Sequence, residues 1–128
     1  MNVPIVDVHV HIQPWDMLKP DVRTVMTARR RPDEQALLQE FLRDPTALLR
    51  WMDAQGIQAM ALINYSSPDV MGFTDEVNDF VTKFCAVAPD RLIAVGSLHP
   101  RFTPNPSDFV RTWIDRGLRA FKLHPPHQ

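Results

Sequence analysis

The sequence predicts an α/β fold, and three observations carry that prediction. Four short runs rich in β-branched and apolar residues recur at roughly 30 to 50 residue intervals. Between them lie amphipathic helical patterns marked off by capping residues, prolines and glycines. Strand and helix therefore alternate, as in βαβ units that build a parallel sheet with right-handed crossovers.

The first strand is read at Val3 to Ile12, where a period of two puts Asp7, His9 and His11 on one face and Val6, Val8, Val10 and Ile12 on the other. The apolar face is expected to pack against helices. A long connection at about 13–44 follows and reads as an insertion, with one helix from Asp33 to Arg43 carrying Leu37, Leu38, Phe41 and Leu42. Asp44 then caps a helix that starts at Pro45, buries Leu48, Leu49 and Met52, and stops at Gly56. The second strand spans Ile57 to Asn64.

Thr74 is the expected cap of the next helix, which runs through Val77, Phe80, Val81, Phe84 and Val87 and ends before Pro89. A third strand covers Arg91 to Leu98. Asn105 caps and Pro106 opens a helix whose inward residues are Phe109, Val110, Trp113 and Ile114, closed by Gly117. The fourth strand covers Leu118 to His124. With no covering helix after it, residues 1–128 read as one incomplete domain, too short for an eight-fold barrel of about 250 residues.

Composition narrows the partners. Fourteen Lys and Arg against 15 Asp and Glu leave a net charge of −1, without the basic footprint of a general nucleic-acid or anionic-membrane binder. No run approaches the ~20 apolar residues of a membrane span, and the N-terminus lacks the charged start of a secretory signal. The lone Cys85 cannot form an internal disulfide and reads as a core residue in a reducing compartment. The expectation is a cytoplasmic protein that binds neither nucleic acid nor membrane. Gly-rich phosphate loops, a nucleophile elbow and paired cysteines are all missing, which removes dinucleotide binding, serine hydrolysis and a cysteine zinc site.

His9 and His11 sit two apart near the C-terminal end of the first strand, where parallel α/β arrays gather their ligands. Their imidazoles can converge on one divalent metal, with Asp7 orienting a ligand from behind; the bland alternative is two solvated, hydrogen-bonded histidines. Lys122 and His124 repeat the spacing on the fourth strand and point to the same side. Lys122 is either a charge for an anionic substrate or a lysine held in an ion pair or exposed at an unfinished sheet edge, and His124 is a candidate substrate contact. Trp15 either walls the pocket or packs the insertion. His99 ends the third strand near the same rim with its direction open, His127 reads as a frayed terminus, and Arg29, Arg30 and Arg31 read as solvated surface with a substrate-carboxylate role as the alternative.

The run Asp7-Val8-His9-Val10-His11-Ile12, the run Val95-Gly96-Ser97-Leu98-His99-Pro100, and residues 117–125, Gly-Leu-Arg-Ala-Phe-Lys-Leu-His-Pro, resemble the amidohydrolase-related family. That family lies in the metal-dependent amidohydrolase superfamily and includes aminocarboxymuconate-semialdehyde decarboxylase-like enzymes. The resemblance covers residues 3–128 and the first half of the family's barrel. It implies a distorted TIM barrel in which His9 and His11 bind a divalent metal, usually zinc. It also implies a His from strand five and an Asp from strand eight, neither of which this sequence contains. In related subgroups a strand-four lysine is carbamylated to bridge two metals, whereas the decarboxylase-like group is mononuclear; Lys122 stays open between these patterns.

Taken together, the expectation is the N-terminal half of a TIM-like (β/α)8 barrel. Its parent activity would be metal-dependent hydrolysis or decarboxylation of a small carboxylate-bearing compound, with the isolated 128 residues inactive. The alternative is a non-catalytic half barrel that binds a partner or itself, as a homodimer through its open sheet edges.

Overall fold

The computed structural model describes residues 3–128, and its centre is a four-stranded parallel sheet in the order β1-β2-β3-β4. The strands are β1 Ile5–His11, β2 Ile57–Ile63, β3 Leu92–Ser97 and β4 Ala120–Lys122. Sequential strands are neighbours throughout, so each crossover brings the chain back beside the strand it has just left. Helices α3 Pro45–Gln55, α4 Glu76–Cys85 and α5 Pro106–Asp115 make these crossovers, and α1 Pro20–Ala28 and α2 Pro32–Arg43 lie in the long connection after β1.

The punctuation works as its chemistry requires at α3. The Asp44 carboxylate accepts the Thr46 N–H at 2.8 Å, and Gly56 closes the helix in the left-handed region at φ 70°. At α4 the start moves one residue along: Asp75 occupies the cap position, while the Thr74 hydroxyl accepts the Glu76 N–H at 3.4 Å. Asn105 precedes α5 as expected but makes no side-chain cap bond, taking a φ of 47° that asparagine tolerates.

One core lies between the sheet and its covering helices. Met52, Leu62 and Leu92 are fully buried in it, with Val81, Leu118 and Cys85 beside them. Burial of each large side chain is worth about 1.5–3 kcal/mol against exposure. A second cluster, Trp15, Leu18, Phe73 and Val77, packs with Met26, Leu38 and Leu42 and fastens the insertion to α4.

The insertion holds two helices and a single 3-10 turn at Trp15–Met17 instead of one helix. Helix α1 has no fully buried side chain, and its Val22 and Met26, one turn apart, only partly cover the second cluster, so its apolar pattern is weak. The outer face of β1 is uncovered: Val6 is 55% and Val8 71% exposed, because α3, the first crossover helix, packs on β2. Ile114 and Val87 are likewise exposed. Register shifts in the β1–β2 pairing, at Ile5/Val6 and between Asp7 and Val10, interrupt the simple alternation of β1.

Candidate functional site

Parallel strands deliver their C-terminal ends to one rim. His11 closes β1, Tyr65 stands two residues past β2, and His124 two residues past β4. These three meet: the His11 ring lies edge-on to Tyr65 with centroids 5.9 Å apart, and Tyr65 stacks on His124 at 5.2 Å.

On β1 the Nε2 atoms of His9 and His11 are 3.2 Å apart. Two imidazole nitrogens on one tetrahedral zinc, each at its usual bond length, stand about 3.4 Å apart, so the pair fits adjacent corners of one coordination shell. Gln13 Nε2 lies 3.5 Å from His11 Nδ1, on the far side of the ring from that shared point. Asp7 acts on the backbone: its carboxylate accepts the His9 N–H at 3.0 Å. Among the described residues no three His, Cys, Asp or Glu side chains converge on one position, so the fit is that of two ligands in an open site. Partial burial, then His9, Lys122 and His124, hold the His11 pKa below its ordinary value and favour the neutral imidazole that binds metal.

Beside His11 a cavity of about 320 Å³ is walled by Gln13, Trp15, Arg30 and Tyr65, with Met26, Leu38 and Met71 supplying apolar surface. Trp15 is buried, and the Arg30 guanidinium lies over its ring, 5.5 Å from the centroid. Burial raises the Tyr65 pKa against a hydrogen bond with Gln13 that lowers it, so the phenol is neutral at physiological pH. Desolvation, then His127 and Lys122, hold the His124 pKa below its ordinary value, and Lys122, partly buried on β4, also contributes to lowering that of His11. A larger groove of about 680 Å³ borders α2 and α4, but it is lined by Arg43, Glu76, Asp79, Lys83 and apolar side chains, with none of the rim histidines.

His99 does not join this cluster. It is fully buried against Phe102, with ring centroids 4.6 Å apart; its Nδ1 accepts the Arg101 N–H at 3.2 Å and its own N–H donates to Thr103 Oγ1 at 2.9 Å. His127 is anchored where fraying was expected: its carbonyl accepts the Ser67 hydroxyl at 3.1 Å and its ring packs on Tyr65. Of the arginine run, Arg30 lines the cavity while Arg31 pairs with Glu34 at 3.0 Å. Tyr65 and Gln13 escaped the sequence reading. Their signal was position, one just past the end of β2 and the other just past β1.

No protein-family model and no curated protein matches the sequence. Solved structures do match the fold. An uncharacterised TIM-barrel protein from Bordetella bronchiseptica superposes with a TM-score of 0.59 at 17% identity, over 93% of this chain and 43% of that one.

The fold is a partial TIM barrel.

A 2,6-dihydroxybenzoate decarboxylase from Rhizobium gives a TM-score of 0.56 at 22% identity, over 92% of the partial barrel and 37% of the decarboxylase. A probable 2-pyrone-4,6-dicarboxylic acid hydrolase from Acinetobacter baumannii, solved with citric acid bound, gives 0.55 at 18% identity, over 96% and 38%. The partial barrel thus spans about two fifths of the length of these structures.

Proposed function

We propose that the partial barrel carries the first metal-binding strand of an amidohydrolase-related hydrolase or carboxy-lyase acting on a small carboxylate-bearing compound. The 3.2 Å approach of the His9 and His11 Nε2 atoms carries this reading. When bound there, a divalent metal such as zinc supplies Lewis-acid polarisation of a substrate oxygen or lowers the pKa of a water. His9 and His11 would hold it, and Asp7 fixes the backbone of His9. Arg30 and Lys122 offer positive charge to a substrate carboxylate, and Trp15 and the methionines exclude water around it.

The named fold relatives support the substrate class, since a dihydroxybenzoate and a pyrone dicarboxylate are both small carboxylates. With only two ligands at the centre, the 128-residue chain by itself is expected to turn over neither kind of substrate. The buried Cys85 thiol fits a reducing, cytoplasmic setting.

The test is zinc binding by the purified chain, compared with His9→Ala/His11→Ala, with circular dichroism confirming that both are folded. The double variant should bind one equivalent fewer. Equal zinc in both proteins, or none in folded wild type, sinks the reading.

One observation favours a second reading, a self-associating module. Val6 and Val8 expose an apolar stripe on an edge strand, an arrangement that invites pairing. Light scattering across a concentration series decides it: a dimer that Val8→Lys dissociates supports the module, and a monomer throughout removes it.

A further inference from the structure

Two more imidazoles are fixed side by side on this rim. After β4 the chain makes one 3-10 turn, Pro125–His127, in which the His127 N–H donates to the His124 carbonyl at 2.9 Å. Two consecutive prolines restrict the turn, and the neighbouring loops bolt it down. The His124 N–H donates to Gln128 Oε1 at 2.8 Å, the Ser67 hydroxyl donates to the His127 carbonyl at 3.1 Å, and Gln128 Nε2 donates to the Leu98 carbonyl at 2.7 Å. Each of these bonds uses backbone or the Gln128 amide, so the two rings are positioned without spending a ring nitrogen.

The rings of His124 and His127 have centroids 4.5 Å apart at 78°, and both lean on Tyr65. His127 Nδ1 is enclosed and has no hydrogen-bond partner among the described residues. An enclosed polar nitrogen without a partner is costly. A borderline divalent cation satisfies it, because neutral imidazoles are the donors such ions favour.

We propose that His124 and His127 form a second cation-binding pair, separate from His9 and His11, that takes a divalent metal of the zinc or copper class. The pairs are distinct because no three donors converge on one position among the described residues, although both pack on Tyr65, which meets His11 at 5.9 Å and His124 at 5.2 Å. Each pair leaves coordination positions for water or a ligand carboxylate. The second pair stands or falls independently of the first.

Calorimetric titration of the full chain with zinc alone tests this. Two equivalents are expected; His124→Ala/His127→Ala removes one and His9→Ala/His11→Ala removes the other. His127→Gln should weaken the second equivalent while the metal-free protein stays folded by circular dichroism, since the hydrogen bonds that hold the turn run through backbone and Gln128. One equivalent that His9→Ala/His11→Ala abolishes overturns the proposal. So does a single equivalent lost on changing either pair, or a second equivalent that survives His124→Ala/His127→Ala.

Discussion

The side-chain amide of Asn78 on α4 exchanges two hydrogen bonds with the backbone of Ser97 at the end of β3, Nδ2–H donating to its carbonyl and its N–H donating to Oδ1, each at 2.7 Å. Both residues are fully buried. The amide behaves as an added strand residue and fixes the rim end of β3 to α4. Asn78→Ala leaves a buried N–H and a buried carbonyl unpaired, and at about 1–3 kcal/mol each the loss is expected at about 2–6 kcal/mol. Urea unfolding measures it; a loss under about 1 kcal/mol would mean the two groups find other partners.

Gly96 makes room for that bond pair. A Cβ there would stand 2.3 Å from Asn78 Oδ1 and 2.3 Å from Leu118 Cδ1. Gly96→Ala is therefore expected to cost about 1–3 kcal/mol through overpacking. Its effect should be less than additive with Asn78→Ala, because the second change removes one of the two atoms the new methyl meets. A double-mutant cycle that sums to zero coupling contradicts the shared contact.

Zinc should stabilise the chain by mass action at the His9/His11 pair. At zinc one hundred times the dissociation constant, each occupied site adds about 2.7 kcal/mol. The thermal midpoint of wild type should climb with zinc concentration, and His9→Ala/His11→Ala should climb less. Parallel curves for the two proteins would remove β1 from the metal site.

The strand and helix order was legible because each crossover is punctuated: Asp44-Pro45 and Gly56 around α3, Asn105-Pro106 and Gly117 around α5. That the His9 and His11 rings share one face of β1 was legible because a strand period of two is short enough to survive the irregular pairing of β1. Helix α1 was not, since Val22 and Met26 make its apolar stripe and Val25 is exposed. Nor was the bare outer face of Val6 and Val8. An alternating pattern tells which residues share a face, but not whether another element covers it. Tyr65, which joins the histidines, has no sequence pattern at all; only the three-dimensional meeting of strand ends brings His11 and His124 to it.

Cys85 should be chemically silent in the folded chain. Burial pushes its pKa up to about 12. The thiolate at neutral pH is then on the order of one part in 10⁵, and the sulfur is enclosed as well. Labelling by a thiol reagent should follow the unfolded population, rising with urea along the same curve as circular dichroism. Fast labelling without denaturant would contradict the burial.

Asp44 gives the fold an acid-sensitive contribution. Its carboxylate accepts the Thr46 N–H, and this bond holds its pKa below the ordinary 3.8. A carboxylate with a lowered folded-state pKa contributes stability that is fully present above its unfolded value and is lost as the pH falls through the folded value. Asp44→Ala should thus lower the thermal midpoint at neutral pH, and the gap to wild type should narrow as the pH drops below 3.8. Asp44→Asn, which keeps a capping oxygen, should retain most of the stability and lose this pH dependence. An Asp44→Ala gap that is constant with pH would mean the carboxylate's charge contributes nothing.

Arg30 is the residue on which the carboxylate reading of the cavity can be tested apart from the metal. Its guanidinium lies over Trp15, 5.5 Å from the ring centroid, and borders the same cavity as His11. Stacking holds the planar group in one orientation, so its forked N–H donors are presented with less conformational freedom left to lose. A charge-assisted bond to a carboxylate is worth about 1.5–3 kcal/mol, or roughly ten- to a hundredfold in affinity. Arg30→Ala should weaken binding of a small dicarboxylate by that factor. Arg30→Lys should restore only part of it, because an ammonium keeps the charge but neither the fork nor the planar stack. Trp15→Ala should also weaken binding with the guanidinium intact, by releasing it from its platform. If Arg30→Ala binds the dicarboxylate as wild type does while Lys122→Ala does not, the carboxylate is held from β4 and the insertion serves only to cover the rim.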